Sequence, residues 1–296
     1  MFRNLVMFGP LRYLMSLYSV SGGVETAILA AAFIACMVVP YLLGQLNFAI
    51  IISKKKFGAD VRDYGSGNGG TTNMLRTFGK KSAIITLAGD MGKAIISCLI
   101  GYLLLGRLGA FLAGLFCILG HTFPIKYKFK GGKGVACVAA VILMTDLGNA
   151  WYIPFIFLVL LLIFAVIALG LKYVSLASVM CMLIYPLFLY EVEKLFLDKV
   201  TRPDGTIVVN KEVGLYVLLA FLMAAIIVFM HRENIKRLWQ GKESKLDLSK
   251  KSKPIFDESA ADNTAPESTE SHTEPVERAA KPNPNTSKKK QKRNKK

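Results

Sequence analysis

Three polar segments interrupt an otherwise apolar chain, and each carries the residue types that hold phosphoryl oxygens. The first reads Gly65-Ser66-Gly67-Asn68-Gly69-Gly70-Thr71-Thr72-Asn73-Met74-Leu75-Arg76. Glycines let backbone N–H groups approach an anion, hydroxyls and amides add donors, and an arginine can clamp two oxygens at once. A flexible linker would share the glycines, but it has no need of Asn73 with Arg76 three residues on.

The second segment runs from Gly120-His121-Thr122-Phe123-Pro124 to Lys130-Gly131-Gly132-Lys133-Gly134-Val135-Ala136. Gly134 opens an apolar run, so glycine amides stand at a helix start, where unpaired N–H groups and the positive end of the helix dipole favour an anion. Lys133 is the first-choice phosphate ligand. The string resembles a Walker loop only superficially: the spacing GxxxxGK[ST] is missing and no Ser or Thr follows Lys133 to hold magnesium, which argues against nucleotide hydrolysis. His121 is a proton carrier or a structural hydrogen-bonding residue, and structure is the favoured reading.

The third segment, His231-Arg232-Glu233-Asn234-Ile235-Lys236-Arg237-Leu238-Trp239-Gln240-Gly241-Lys242-Glu243, is expected to continue helically out of the last apolar run. His231, Asn234 and Leu238 then share a helical face. An ordinary basic flank would supply the arginines and lysines; His and Asn at that spacing point to function. Asp90 and Lys93 lie one turn apart within an apolar run, where ionisable groups are costly, and are expected to pair with each other or with the loops. Ser175 and Ser178 stand at a helix start, where a hydroxyl caps the helix or touches a phosphate.

The elements that position these segments follow from composition. The chain has 296 residues, 53% of them hydrophobic, yet a net charge of +17, so apolarity and basicity must be segregated along it. Seven apolar stretches are predicted to cross a membrane: Val24 to Ile52, Ser82 to Leu105, Leu108 to His121, Gly134 to Thr145, Trp151 to Gly170, Leu176 to Tyr190 and Gly214 to Met230. The third and fourth fall short of the roughly 20 residues of an upright span and flank the Gly/Lys segment, as helices do when they stop inside a membrane around a site. The sixth is also short.

Basic residues set the orientation. Ser53 to Lys81 carries Lys54, Lys55, Lys56, Arg62, Arg76, Lys80 and Lys81, and the loop after His121 carries Lys126, Lys128, Lys130 and Lys133, so both belong in the cytoplasm. Gly106 to Gly109, Asp146 to Ala150 and Glu191 to Val213 show no basic excess and belong outside. The amino terminus is then outside and the carboxyl terminus inside. Residues 1–23 read as a lead-in that stays attached, lying along the membrane surface or unstructured outside it.

Residues 24–243 read as one membrane domain, and 244–296 as a disordered cytoplasmic tail, too poor in apolar groups to offset the entropy of ordering. Its basic end, Lys288 to Lys296, is a solvated tail or a contact for anionic lipid or RNA. The five cysteines, Cys36, Cys98, Cys117, Cys137 and Cys181, are scattered singly in apolar runs, and neither a metal nor a cofactor is indicated.

The three polar segments together resemble the PlsY family, bacterial membrane acyltransferases that move an acyl group from acyl phosphate to glycerol 3-phosphate. The family's first motif, Ser-Gly-Asn-x-Gly-x-Thr-Asn followed by Arg, is met by Ser66 to Asn73 and Arg76. The second, Gly-His-x-Phe-Pro leading into Phe-Lys-Gly-Gly-Lys-Gly-Val-Ala, is met by Gly120 to Ala136, and the third, HRxNIxRLxxGxE, by His231 to Glu243. Ala94 stands where the family usually has glycine after its Asp-x-x-Lys pair. The lead-in, the Glu191 to Val213 connection and the tail look like additions.

The resemblance implies an all-α membrane protein of seven transmembrane helices, some short or broken, in the bacterial plasma membrane. It implies catalytic roles for Ser66, Arg76, Lys133, His231 and Asn234, and substrate contacts from Asn68, Gly69, Asn73, His121, Gly131, Gly132, Gly134, Ser175, Ser178 and Glu243. The implied reaction yields lysophosphatidic acid and phosphate for phospholipid biosynthesis. Phosphate is a good leaving group, so donors that stabilise it and the developing oxyanion lower the barrier without a covalent intermediate. The competing reading is a transporter of a phosphate ester, which broken helices and buried charges also suit; no internal half-repeat supports it.

Overall fold

The computed structural model describes residues 2–145, 153–196, 199–201, 207–209, 212–246 and 255–256. In chain order the elements are α1 (Phe2–Leu17), α2 (Gly22–Gly44), α3 (Phe48–Phe57), α4 (Thr71–Thr122), α5 (Val135–Thr145), α6 (Ile153–Ala165), α7 (Val174–Phe196), β1 (Lys199–Thr201), β2 (Ile207–Val209), α8 (Val213–Met230) and α9 (Arg232–Trp239). A π-helical stretch, Val166–Leu171, continues α6. β1 and β2 pair antiparallel with Lys199 opposite Val209. The chain divides into two compact units, Met1–Leu46 with Asp90–Asp247, and Asn47–Gly89 with Leu248–Lys296.

In the larger unit charge is inside and apolar surface outside. Asp90, Lys93, Arg107, His121 and Glu193 are buried, whereas Leu103, Leu162, Leu187 and Leu218 are about half exposed. A water-soluble domain shows the reverse, and such an exposed apolar surface calls for lipid. Among the described residues four helical stretches have the length and composition to cross a membrane: Gly22–Phe57, Thr71–Tyr127, Val174–Leu195 and Val213–Met230, with shorter apolar helices at Val135–Thr145 and Phe155–Leu171. The protein is therefore a multi-pass membrane protein, and among the described residues its regular structure is helical apart from the β1–β2 pair.

The second of these stretches folds back on itself. Gly106 takes a left-handed φ of +62° inside α4. A Cβ added at Gly101 would lie 2.1 Å from the Gly109 carbonyl oxygen, although residues eight apart on a straight helix are separated by about 12 Å. The sequence break read at Gly106 to Gly109 is thus a one-residue helical hairpin. Its returning arm packs on α2 through small residues: a Cβ at Gly44 would meet the Cys117 carbonyl, and one at Gly120 the Tyr41 carbonyl.

Three expectations change. The Val24 to Ile52 run stays within one candidate span but is divided, α2 ending at Gly44 and Asn47 capping α3, where it accepts a 3.1 Å hydrogen bond from the Ile50 amide. The lead-in is helical, not unstructured: α1 is kinked at Gly9, where a Cβ would fall 2.3 Å from the Gly106 nitrogen, and Met15 is buried.

The sixth run is not short, since α7 continues 23 residues to Phe196. Of the charges that seemed to end it, Glu193 is buried and paired. Glu193 accepts from Arg107 Nη1 at 3.0 Å, and Arg107 Nε donates to the Thr145 carbonyl at 3.1 Å. The Arg107 guanidinium also lies 4.6 Å from the Tyr216 ring centre. Asp146 to Ala150 and the basic end of the tail lie outside the described residues.

Candidate active site

In the smaller unit Asn73 organises the glycine loop. Its Oδ1 accepts from the Ser66 amide at 2.9 Å, and its Nδ2 donates to the carbonyls of Val61, Tyr64 and Asn68 at 2.9, 3.0 and 3.1 Å. The side chain is 1% exposed and its polar atoms are committed to the loop, so it supports the ligand-facing residues instead of reaching a ligand itself. Asn47 pins the other side, donating to the Gly69 carbonyl at 2.9 Å. The loop delivers Ser66, which is exposed, and Gly70 to the start of α4, with Arg76 in its second turn. Helix-start amides and a guanidinium in one short stretch suit an anion.

Asp60 braces the approach to this loop. It accepts from Arg62 Nε at 2.9 Å and Nη2 at 2.7 Å, and Lys54 lies 3.2 Å away. Burial alone would raise its carboxyl, but the Arg62 and Lys54 contacts outweigh that and bring it down to about 2.

In the larger unit a second polar cluster forms around Glu243. Lys133 Nζ donates to Asn234 Oδ1 at 2.5 Å, while Asn234 Nδ2 donates to Glu243 Oε1 at 2.6 Å. The same Oε1 accepts from Ser175 Oγ at 2.8 Å, and Oε2 accepts from Arg237 Nε at 2.8 Å. Burial raises the Glu243 carboxyl, yet the donors from Asn234, Arg237 and Ser175 hold it below the usual range. A carboxylate so held repels a phosphate. Glu243 therefore orients Asn234, Arg237 and Ser175, and a substrate contact from Glu243 itself does not fit.

His231 joins α8 to α9 at φ −96°, ψ 3°, so the helix expected to run straight out of the membrane is interrupted there. Its Nδ1 is 2.8 Å from the Ile227 carbonyl. A carbonyl only accepts, so Nδ1 carries the proton and Nε2 keeps its lone pair. Burial, then the charge of Lys133, push the imidazole down to about 4 against the opposing pull of Ile227 and Glu243. At neutral pH His231 is an uncharged acceptor.

The Gly/Lys segment rests on a buried ionic cluster. Lys93 Nζ donates to Asp90 Oδ1 at 2.7 Å, to the Leu46 carbonyl at 2.6 Å and faces His121 Nδ1 at 2.8 Å. Asp90 Oδ1 also lies 3.6 Å from His121 Nδ1. The His121 ring is turned into this cluster, and its backbone carbonyl accepts from the Gly132 amide at 3.1 Å. A Cβ at Gly131 would overlap that carbonyl at 1.9 Å. The expected substrate contacts from His121 and the Gly132 amide are therefore spent on holding Lys133 in place. Gly134, at φ +82°, turns the chain into α5.

The structure brings Lys133, Ser175, His231, Asn234 and Glu243 together. It does not bring Ser178 to them by a hydrogen bond: its hydroxyl donates back to the Val174 carbonyl at 2.8 Å. Ser66, Asn68, Gly69, Asn73 and Arg76 share the glycine loop and the start of α4. Sequence reasoning missed Asn47 and the anchoring part of Arg237. Asn47 was findable as an amide directly ahead of Phe48 in an apolar run.

The chain matches the profile of the family described as glycerol-3-phosphate acyltransferase over residues 34–241. It is 36% identical over 210 residues to the glycerol-3-phosphate acyltransferase of Finegoldia magna, covering 71% of this chain and 93% of that protein. It is 34% identical to that of Coxiella burnetii, covering 73% of this chain and all of the relative. Among solved structures it resembles the integral membrane glycerol 3-phosphate acyltransferase PlsY (YgiH). The glycerol 3-phosphate form has a TM-score of 0.61 at 32% identity, covering 73% of this chain and 96% of that one. The lysophosphatidic acid form has a TM-score of 0.59 at 31% identity, covering 73% and 95%. On the span of the profile, the coverage of these relatives and the shared fold, this chain belongs to the glycerol-3-phosphate acyltransferase family.

Proposed function

We propose that the protein transfers an acyl group from acyl phosphate to glycerol 3-phosphate, forming lysophosphatidic acid and phosphate. The observation that carries the reading is the Lys133–Asn234–Glu243 chain beside a neutral His231, in a member of a family whose solved relatives are named for their glycerol 3-phosphate and lysophosphatidic acid forms.

A hydroxyl oxygen of glycerol 3-phosphate attacks the acyl carbonyl carbon, and the bond from that carbon to the phosphate oxygen breaks. The hydroxyl proton goes to a substrate phosphate oxygen. Lys133, at the start of α5, stabilises the leaving phosphate; Ser66, Arg76, His231 and Asn234 hold glycerol 3-phosphate, with His231 Nε2 accepting from a hydroxyl. Asn68 and Gly69 shape the loop. No covalent enzyme intermediate is needed. The acyl chain lies among the helices with its head at the cytoplasmic interface. Seven crossings, with the amino terminus outside and the site and carboxyl terminus inside, follow from the charge of the loops.

The test is phosphate release and lysophosphatidic acid formation by purified protein given acyl phosphate and glycerol 3-phosphate. Lys133→Ala should remove nearly all turnover, while His121→Ala and His231→Ala lower the rate without abolishing it. Loss of all turnover only at a histidine would overturn the substrate-assisted route, and no product with wild-type protein would overturn the assignment.

A further inference from the structure

We infer that Phe256, in the tail beyond the family's common region, is a positioning residue for the glycine loop. The family profile ends at residue 241, so Phe256 belongs to what this chain adds. The tail was expected to be disordered, too poor in apolar groups to offset the entropy of ordering. Instead the Phe256 ring stacks on Phe78 at 4.8 Å and 19°, meets Tyr64 edge-on at 5.2 Å and 89°, and lies 6.1 Å from Phe57. Phe57 and Phe78 touch each other at 4.6 Å. These walls come from the end of α3, the residue that opens the glycine loop, and the first turns of α4.

The backbone is engaged as well. The Phe256 amide donates to the Thr77 carbonyl at 3.0 Å. That carbonyl lies two residues before Gly79, which takes a left-handed φ of +87° within α4. Thr77 follows Arg76 directly, and the Tyr64 carbonyl accepts both the Asn73 amide group and the Gly67 N–H. One aromatic ring therefore ties together the two ends of the loop: the strand of chain entering at Tyr64 and the helix turn bearing Asn73 and Arg76. Such ring contacts stabilise beyond the apolar area they bury, so losing the Phe256 ring loosens both ends of the loop together.

The role rests on the reading that this loop holds glycerol 3-phosphate. Removing the ring should loosen that grip while leaving the acyl donor untouched. In full-length protein Phe256→Ala should raise KM for glycerol 3-phosphate roughly 3- to 10-fold, with kcat and KM for acyl phosphate within about 2-fold, and Phe256→Leu should restore most of the loss. Hydrogen exchange at the Phe256 amide, protected in the wild type and fast in Phe78→Ala, reads docking independently of activity. Wild-type kinetics in Phe256→Ala, an equal effect on both substrates, or an unprotected amide would each overturn the proposal. Arg76→Ala with an unchanged KM for glycerol 3-phosphate would instead overturn the reading of the loop, whatever the amide exchange shows.

Discussion

Lys133 Nζ sits 2.5 Å from Asn234 Oδ1, and the other end of that amide is held by Glu243. The amide is thus polarised in one sense, oxygen towards the ammonium and nitrogen towards the carboxylate. Rotating it would face like charges and like dipoles on both sides.

Asn234→Asp keeps the shape and reverses this logic. It places a second carboxylate between Glu243 and Lys133 and neutralises the cation that the leaving phosphate needs. Turnover should fall about 100-fold or more, at least as far as in Asn234→Ala. Steady-state rates of the two variants decide this; an aspartate variant faster than the alanine one would deny the amide its orienting part.

Glu243→Gln tests the organiser from the other side. It preserves volume but releases Arg237 and weakens the hold on Ser175 and Asn234. A fall of about 10-fold in kcat/KM, with little change in thermal stability, is expected. If Glu243 contacted substrate directly, removing its negative charge beside a phosphate would instead improve binding.

Much of this was legible in the sequence because the motifs are local. Ser66 to Arg76, Gly131 to Gly134 and His231 to Glu243 are contiguous, so backbone spacing alone placed their members near one another. Roles within each motif were not legible. Asn73, Gly132 and Glu243 carry ligand-like chemistry, yet each spends it on neighbours, and only geometry separates a donor that faces a ligand from one that faces a carbonyl. Partners distant in sequence were hidden too: Arg107 and Glu193 meet across 86 positions, so their charges read as loop and helix-end residues when they are a buried pair. The hairpin at Gly106 was visible because glycine interrupts an apolar run; the break before α3 was masked by hydrophobic residues on both sides of Asn47.

Lys93→Met should destabilise the protein without touching a substrate. It leaves Asp90 buried beside His121 with its cation removed, a change that costs about 3–5 kcal/mol when one partner of a buried pair is lost. The double variant Asp90→Asn, Lys93→Met removes the stranded charge and should recover part of the loss. Apparent melting temperatures in detergent provide the comparison, and a double variant no more stable than Lys93→Met would rule out the stranded carboxylate as the cause.

The two ionisable groups of the larger cluster predict separable pH effects. His231 is held at about 4 against an ordinary 6.5, so as pH falls below about 6.5 the unfolded chain takes up a proton that the folded chain refuses. The stability that depends on the neutral ring is complete above that value and is lost progressively as pH falls towards 4. Glu243 works in a lower window: its carboxyl is held below the ordinary 4.5, so its contribution is present above that pH and disappears only beneath it. Melting temperature measured from pH 7 to pH 4.5 should therefore fall less steeply in His231→Gln than in wild type, and with the wild-type slope in Glu243→Gln. The reverse pattern would mean that His231 is protonated in the folded protein at neutral pH, which would put a second cation beside Lys133 and remove the hydroxyl acceptor from the proposed site.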